Sequence, residues 1–288
     1  MTTEPAPKND EHEPDAALSE EEVRDVEDRR ASSSMVVHEV VRLQGEEELV
    51  RPVPALLLSG LAAGIAISAS LLAELYLRMR LPDTRWAELV FLAGYPVGYI
   101  IVIMGRLQLF TESTVTAVLP LAARPTWAKA GQLLRLWGCV LFANLVGVVI
   151  VAWLMAHEVV ITREQHVAAV DILGKLTLQE GAKTLTLGIP AGFLMAAIAW
   201  ILPSAKGSEF WVITLLTYVI ALGGFCHVVT GSSQVAFLWL SGHMPLSEAL
   251  TDFVLPALAG NIIGGAGLFG LLAHGQMRSD AAGVGEGS

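Results

Sequence analysis

From about residue 53 onward the chain alternates between long apolar stretches and short polar connections. Six such stretches can be delimited, over approximately Val53–Tyr76, Glu88–Leu121, Trp127–Met155, Thr184–Leu202, Phe210–Leu240 and Leu246–His274. About 20 apolar residues in helical conformation cross a hydrocarbon layer about 30 Å thick. Each stretch therefore predicts a membrane helix. Two are interrupted: the second at Gly105-Arg106-Leu107-Gln108, and the fifth at Gly223-Gly224-Phe225-Cys226-His227. Irregular backbone at membrane depth persists only where protein or a wet cavity surrounds it, and an ionisable side chain there obeys the same rule. The breaks are expected over 105–112 and 223–231, and His227 becomes a candidate functional residue.

The six stretches repeat in order. The first and fourth share Gly-[Leu/Ile]-x-Ala-Gly, and the third and sixth share Asn-[Leu/Ile]-[Val/Ile]-Gly, around Asn144 and Asn261. The second and fifth are the broken ones, with breaks beside Phe110 and Phe225. Partner positions lie 128 residues apart (Gly60 and Gly188), 115 (Phe110 and Phe225) and 117 (Asn144 and Asn261). Three crossings reverse the side of the membrane, so two such halves have opposite topology. Inverted repeats, each with a broken helix, place a substrate path where the halves meet. Small residues at these positions suit close helix contact.

Charge changes the picture only at the N-terminus. The formal net charge of −10 belongs to residues 1–50, which hold 15 acidic and 5 basic residues; the remaining chain is balanced at 13 of each. Residues 1–34 read as a disordered acidic tail in which 19–30 can form a short helix. Residues 35–51 fit an amphipathic helix at the membrane surface, with Val37, Val40, Val41 and Leu43 as its apolar positions. The membrane domain then spans 52–276, and 277–288 reads as a flexible C-terminal tail. The first thirty residues lack the apolar core of a signal peptide. Nothing is basic enough for nucleic acid, and Cys139 and Cys226 suggest neither a disulfide framework nor a metal site. Basic residues near the span ends divide six against six, so they assign no orientation. The even number of spans puts both termini on one side, and the acidic tail favours the cytoplasm.

Two broken helices yield two half-helix starts, near Thr111-Glu112-Ser113-Thr114 and near Thr230-Gly231-Ser232-Ser233. Helix N-termini favour anions. With a histidine that can carry or donate a proton, the expected guest is a small anion or its conjugate acid. Glu112 is the discordant residue: it can repel anions, cap its half-helix or pair with Arg106, and capping is the preferred reading.

Gln108 to Thr114, Ala143-Asn144-Leu145-Val146-Gly147, Gly224-Phe225-Cys226-His227 and Gly260 to Gly265 together resemble the formate/nitrite transporter family, over about residues 50–275. The resemblance implies an aquaporin-like, all-α protomer of six helices, two of them broken, assembled as a homopentamer with a pore in each copy. It implies passage of formate, nitrite or similar monocarboxylates, often with a proton, in the inner membrane, with no cofactor and no enzymatic reaction. By position, His227 matches the family's central pore histidine and Thr111 the threonine facing it. Leu109 and Phe110 match constriction positions, and Phe225 joins them at the second break. Tyr95 and Tyr99 fall where the family narrows the pore with apolar rings, so their hydroxyls are a departure. Ser113, Thr230, Asn144 and Asn261 belong to the half-helix and repeat motifs. An entrance lysine is matched approximately by Lys175, with Lys183 as a rival. Cys226, Gly231 and Gly192 stand where the family has an acidic residue and two asparagines.

Other readings are an aquaporin-like pore for water or small neutral solutes, and a membrane scaffold with a vestigial pore. The first lacks Asn-Pro-Ala at either break. An intramembrane enzyme would need a nucleophile or metal set that His227 and the distant His243 do not supply.

Overall fold

The computed structural model describes residues 34–176 and 180–285, and every described element is helical. The acidic segment before Ser34 and the short helix expected within it lie outside the described residues, as do 286–288. Among the described residues, five helices are long and apolar enough to cross a membrane: Val53–Arg78, Arg85–Met104, Trp127–Ala156, Gly181–Ser204 and Leu246–Met277. Three shorter apolar helices, Ser113–Ala123, Glu209–Leu222 and Val228–Leu240, complete the broken spans. Joined in chain order they give six spans, the second and fifth interrupted. The final helix continues from Leu271 to Gly285, past the boundary expected at 276.

The two halves pack by the same contact. A side chain at Gly64 would land on the backbone carbonyl of Asn144, and one at Gly192 on that of Asn261. Only glycine admits this approach, and it brings the first span against the third and the fourth against the sixth. Each second half-helix then crosses to the other half. Val228–Leu240 packs on the third span and Ser113–Thr116 on the fourth. The halves differ in the sixth span, which widens into π-helical turns over Ala249–Val254 and Ile263–Gly270; the third is a regular α-helix.

The surface helix, Ser34–Val50, is docked on protein along one face. Val37 and Val41 are buried against Leu119, and Leu49 belongs to the main core. Val40 and Leu43, expected on the apolar face, are exposed instead. The docked face is fixed by the protein it meets. A side chain at Gly45 would fall on the Thr116 carbonyl. Lys129 binds Glu46 at 2.6 Å, Arg135 donates to the Leu49 carbonyl at 2.6 Å, and the Thr116 hydroxyl donates to Glu48 Oε2 at 2.8 Å. Burial pushes the Glu48 carboxyl up to about 7, against the opposing pull of the Thr116 hydroxyl and Arg51.

Candidate functional site

Both breaks are built by one backbone device. At the first, Arg106 N–H donates to Ile103 O at 3.1 Å and Leu107 N–H to Val102 O at 2.9 Å. At the second, Gly224 N–H donates to Ala221 O and Phe225 N–H to Ile220 O, both at 3.0 Å. The turning residue is left-handed in each, with φ of 52° at Arg106 and 59° at Gly224. These are Schellman ends, which satisfy the last carbonyls of the first half-helix.

An asparagine then fastens each break to the neighbouring helices. Asn144 accepts from Phe110 N–H at 3.0 Å and donates to the carbonyls of Gly60 (2.8 Å) and Gln108 (2.9 Å). Asn261 accepts from Val228 N–H at 2.9 Å and donates to the carbonyls of Gly188 (2.9 Å) and Cys226 (2.8 Å). Both amides are fully buried. The matching bonds correct the register at the breaks. Phe110 corresponds to Val228 and Phe225 to Leu107, so the pairing of the two phenylalanines by sequence does not hold. Similar rings near a break do not mark equivalent backbone positions; the hydrogen bonds do. In this register His227 occupies the place of Leu109.

His227 is the N-cap of Val228–Leu240, so this half-helix begins two residues before the Thr230 start expected from sequence. Its Nδ1 accepts from Thr230 N–H at 3.2 Å, and its Nε2 lies 2.7 Å from Thr111 Oγ1. A backbone N–H can only donate, so Nδ1 is the acceptor and the ring proton sits on Nε2, directed at Thr111. His227 and Thr111 are both buried. The Tyr99 ring stands edge-on to the imidazole at 5.1 Å. Thr230 Oγ1 donates to Tyr99 Oη at 2.7 Å, and Tyr99 Oη is 2.8 Å from Tyr95 Oη. A row of hydroxyls thus leaves the histidine on the side away from Thr111.

Several expected residues lie elsewhere. Phe110 packs edge-on against Trp137, with ring centroids 5.9 Å apart, and Leu109 is buried in the core. Glu112 makes no side-chain cap; its amide donates to the Leu109 carbonyl, and among the described residues it has no ion pair with Arg106. The helix is begun by backbone bonding, which removes the need for a cap. Ser113 bonds back to the Leu109 carbonyl at 3.4 Å. The Lys175 side chain lies outside the described residues. Its rival Lys183 is exposed on the first turn of the fourth span. A side chain at Gly231 would strike the Phe253 ring, and Gly192 is closed by Asn261; no asparagine fits either position here.

A cavity of about 150 Å³ lies against the histidine, bordered by the last turns of the first span and the first turn of the fourth. His227, Cys226, Phe225 and Tyr95 line it, and so does Glu74 of the first span. Glu74 was not among the residues expected from the sequence. The signal was a lone carboxylate inside an apolar span, which warrants a functional hypothesis by itself. Among the described residues no group of three or more His, Cys, Asp or Glu side chains gathers to hold a metal.

Comparison with known proteins agrees with this geometry. Residues 35–275 match the family described as formate/nitrite transporter. The chain is 41% identical over 254 residues to the inner membrane protein YfdC of Escherichia coli (strain K12), covering 88% of this chain and 82% of that protein. It is 27% identical over 245 residues to the formate channel BtFdhC of Bacillus thuringiensis, covering 81% and 91%. A solved structure, a pentameric formate channel with formate bound, superimposes with a TM-score of 0.64 at 20% identity, covering 76% of this chain and 95% of that one.

Proposed function

The chain belongs to the formate/nitrite transporter family, and on that premise we propose that it carries small monovalent anions of the formate or nitrite class across the inner membrane, each with a proton. The observation that carries this reading is the 2.7 Å contact between His227 Nε2 and Thr111 Oγ1, which joins the two breaks through a histidine that also lines the cavity. A bare anion entering such a site loses hydration at a cost of several kcal/mol even after relaxation. Passage as the neutral acid avoids most of that cost. Thr111 offers a hydroxyl to one guest oxygen, and the Nε2–H of His227 lies beside it. An imidazole can take a proton at one ring nitrogen and give one from the other, which suits it to the proton transfer. Relatives named as formate channels, and a solved neighbour described as pentameric with formate bound, favour formate as guest and a ring of five copies. The termini are placed in the cytoplasm, as the acidic N-terminal segment favours.

The test is formate uptake into liposomes against external pH, for the wild type and three variants. His227→Phe is expected to lower uptake about a hundredfold, the scale of losing a positioned acid–base group. It sacrifices the helix cap, about 1 kcal/mol, which leaves the protein folded. His227→Asn retains part of the flux and loses its pH dependence, and Thr111→Val weakens transport less than His227→Phe. Wild-type rates and pH profiles in all three would sink the proposal. Water flux without formate flux in the same preparation would support the neutral-solute pore instead.

A further inference from the structure

The resting tautomer of His227 raises a question of supply. Its Nε2 already holds a proton, so before the ring can give that proton to a guest it must gain another at Nδ1. Among the described residues Nδ1 bonds only to Thr230, whose N–H lies at 3.2 Å and whose Oγ1 lies at 3.3 Å. From Thr230 Oγ1 the hydroxyl row continues through Tyr99 (2.7 Å) and Tyr95 (2.8 Å) to the cavity wall that Tyr95 shares with Glu74. We propose that proton and anion travel in separate lanes, with Glu74 loading protons that pass along Tyr95, Tyr99 and Thr230 to Nδ1 of His227 while the anion occupies the cavity that His227 lines.

The need for a second lane is steric. His227 itself lines the cavity, so in an empty pore water reaches it directly. Once a guest is seated there, that route is blocked, and the wall hydroxyls bypass the guest. Among the described residues lining the cavity, the titratable groups are Glu74, Tyr95, Cys226 and His227, and Lys183 is exposed next to the lining residue Thr184. Glu74 is the carboxyl of this set. The cavity is large enough for several waters by the measure that about 10–15 Å³ of probe volume holds one, so water filling it can connect the Glu74 carboxyl with Tyr95.

The step balances. Protonated Glu74 gives its proton through water to Tyr95 Oη. The Tyr95 proton passes to Tyr99, the Tyr99 proton to Thr230, and the Thr230 proton to Nδ1. The guest anion takes the proton from Nε2 and leaves as the neutral acid. Glu74 remains as a carboxylate until the guest has left; water in the emptied cavity then protonates Nε2, and the Nδ1 proton returns along the row to Glu74, which restores the Nε2–H tautomer with one proton drawn from the outer solution per anion. In the structure Thr230 donates outward to Tyr99, so inward delivery requires the hydroxyl rotors to turn over.

The inference rests on the transport reading above, and one experiment separates the two. Liposomes containing the protein and an internal pH dye are given formate outside, and formate uptake and proton entry are followed together from pH 5.5 to 8, a window chosen to bracket the roughly 6.5 of an ordinary histidine. Glu74→Gln and Tyr99→Phe are each expected to lower coupled uptake about tenfold and flatten its pH profile, a modest part of the range for proton-transfer groups. The double variant should be no slower than the slower single one, because both lie on one path. Glu74→Asp should restore the profile. Should Tyr99→Phe fail to fold, Tyr95→Phe breaks the same row. Wild-type profiles in the single variants, or losses that multiply in the double variant, would overturn the wire and leave the transport reading standing. A wild type that carries no anion overturns both.

Discussion

The two breaks have one backbone and two chemistries. Each ends its first half-helix in a left-handed residue, each is held by a buried asparagine making three bonds, and each sends its second half-helix against the opposite repeat. Yet the position that holds Leu109 at the first break holds His227 at the second. The first break faces the docked surface helix, through Thr116 and Glu48, while the second faces the cavity and Glu74. The symmetric parts are those that satisfy backbone groups where lipid offers no partner. The asymmetric parts are side chains that face the cavity or the docked surface helix. The scaffold is duplicated, and the candidate site is not.

Breaking the shared part should cost most. Asn144→Leu and Asn261→Leu each leave two buried backbone groups of the break unpaired, an N–H and a carbonyl, at about 1–3 kcal/mol apiece, and remove a further bond to a helix carbonyl. Both variants are expected to lose most of their folded yield, measured by monodispersity in detergent. If one were tolerated while the other collapsed, the equivalence of the breaks would fail.

A smaller effect should appear at the turning residues and with opposite sign. A left-handed conformation costs a residue with a side chain about 1–2 kcal/mol relative to glycine. Arg106→Gly should therefore raise the unfolding temperature and Gly224→Ala should lower it. Equal shifts in one direction would show that the two turns are not alike.

The smallest effect concerns the side of the first break that the second lacks. The folded-state pKa of Glu48, about 7, lies above the ordinary 4.5. The contribution is thus fully present below about 4.5, declines as pH rises through 7, and is gone above it. Amides of Ser34–Val50 should exchange hydrogen more slowly at pH 5 than at pH 8, after correction for intrinsic rates. In Glu48→Gln the corrected difference should vanish. An unchanged difference would remove Glu48 from the docking contact.

Much of the fold was determined by the sequence alone. Lipid forces long apolar runs into helices, so six stretches meant six spans, and glycines within two of them meant two breaks. The first break, expected over 105–112, lies between the helices ending at Met104 and beginning at Ser113. The second is shorter than expected because His227 starts its helix with its own side chain, a role that residue spacing does not reveal. The paired asparagines could be found as a repeat, but which carbonyls they hold depends on helices far apart in the chain. The same limit hid the true register, since Phe110 and Phe225 look equivalent until their amides are traced to their acceptors.

Residue type in an apolar span was enough to single out His227. It could not fix the tautomer, which follows from Thr230 N–H pointing at Nδ1. Nor could it join Glu74, Tyr95, Tyr99 and Thr230 into one path, because three different spans contribute to it. Composition and order along the chain decide which segments enter the membrane; which polar atoms then meet is decided only when the helices pack, since a hydrogen bond requires a distance and a direction that no linear pattern encodes.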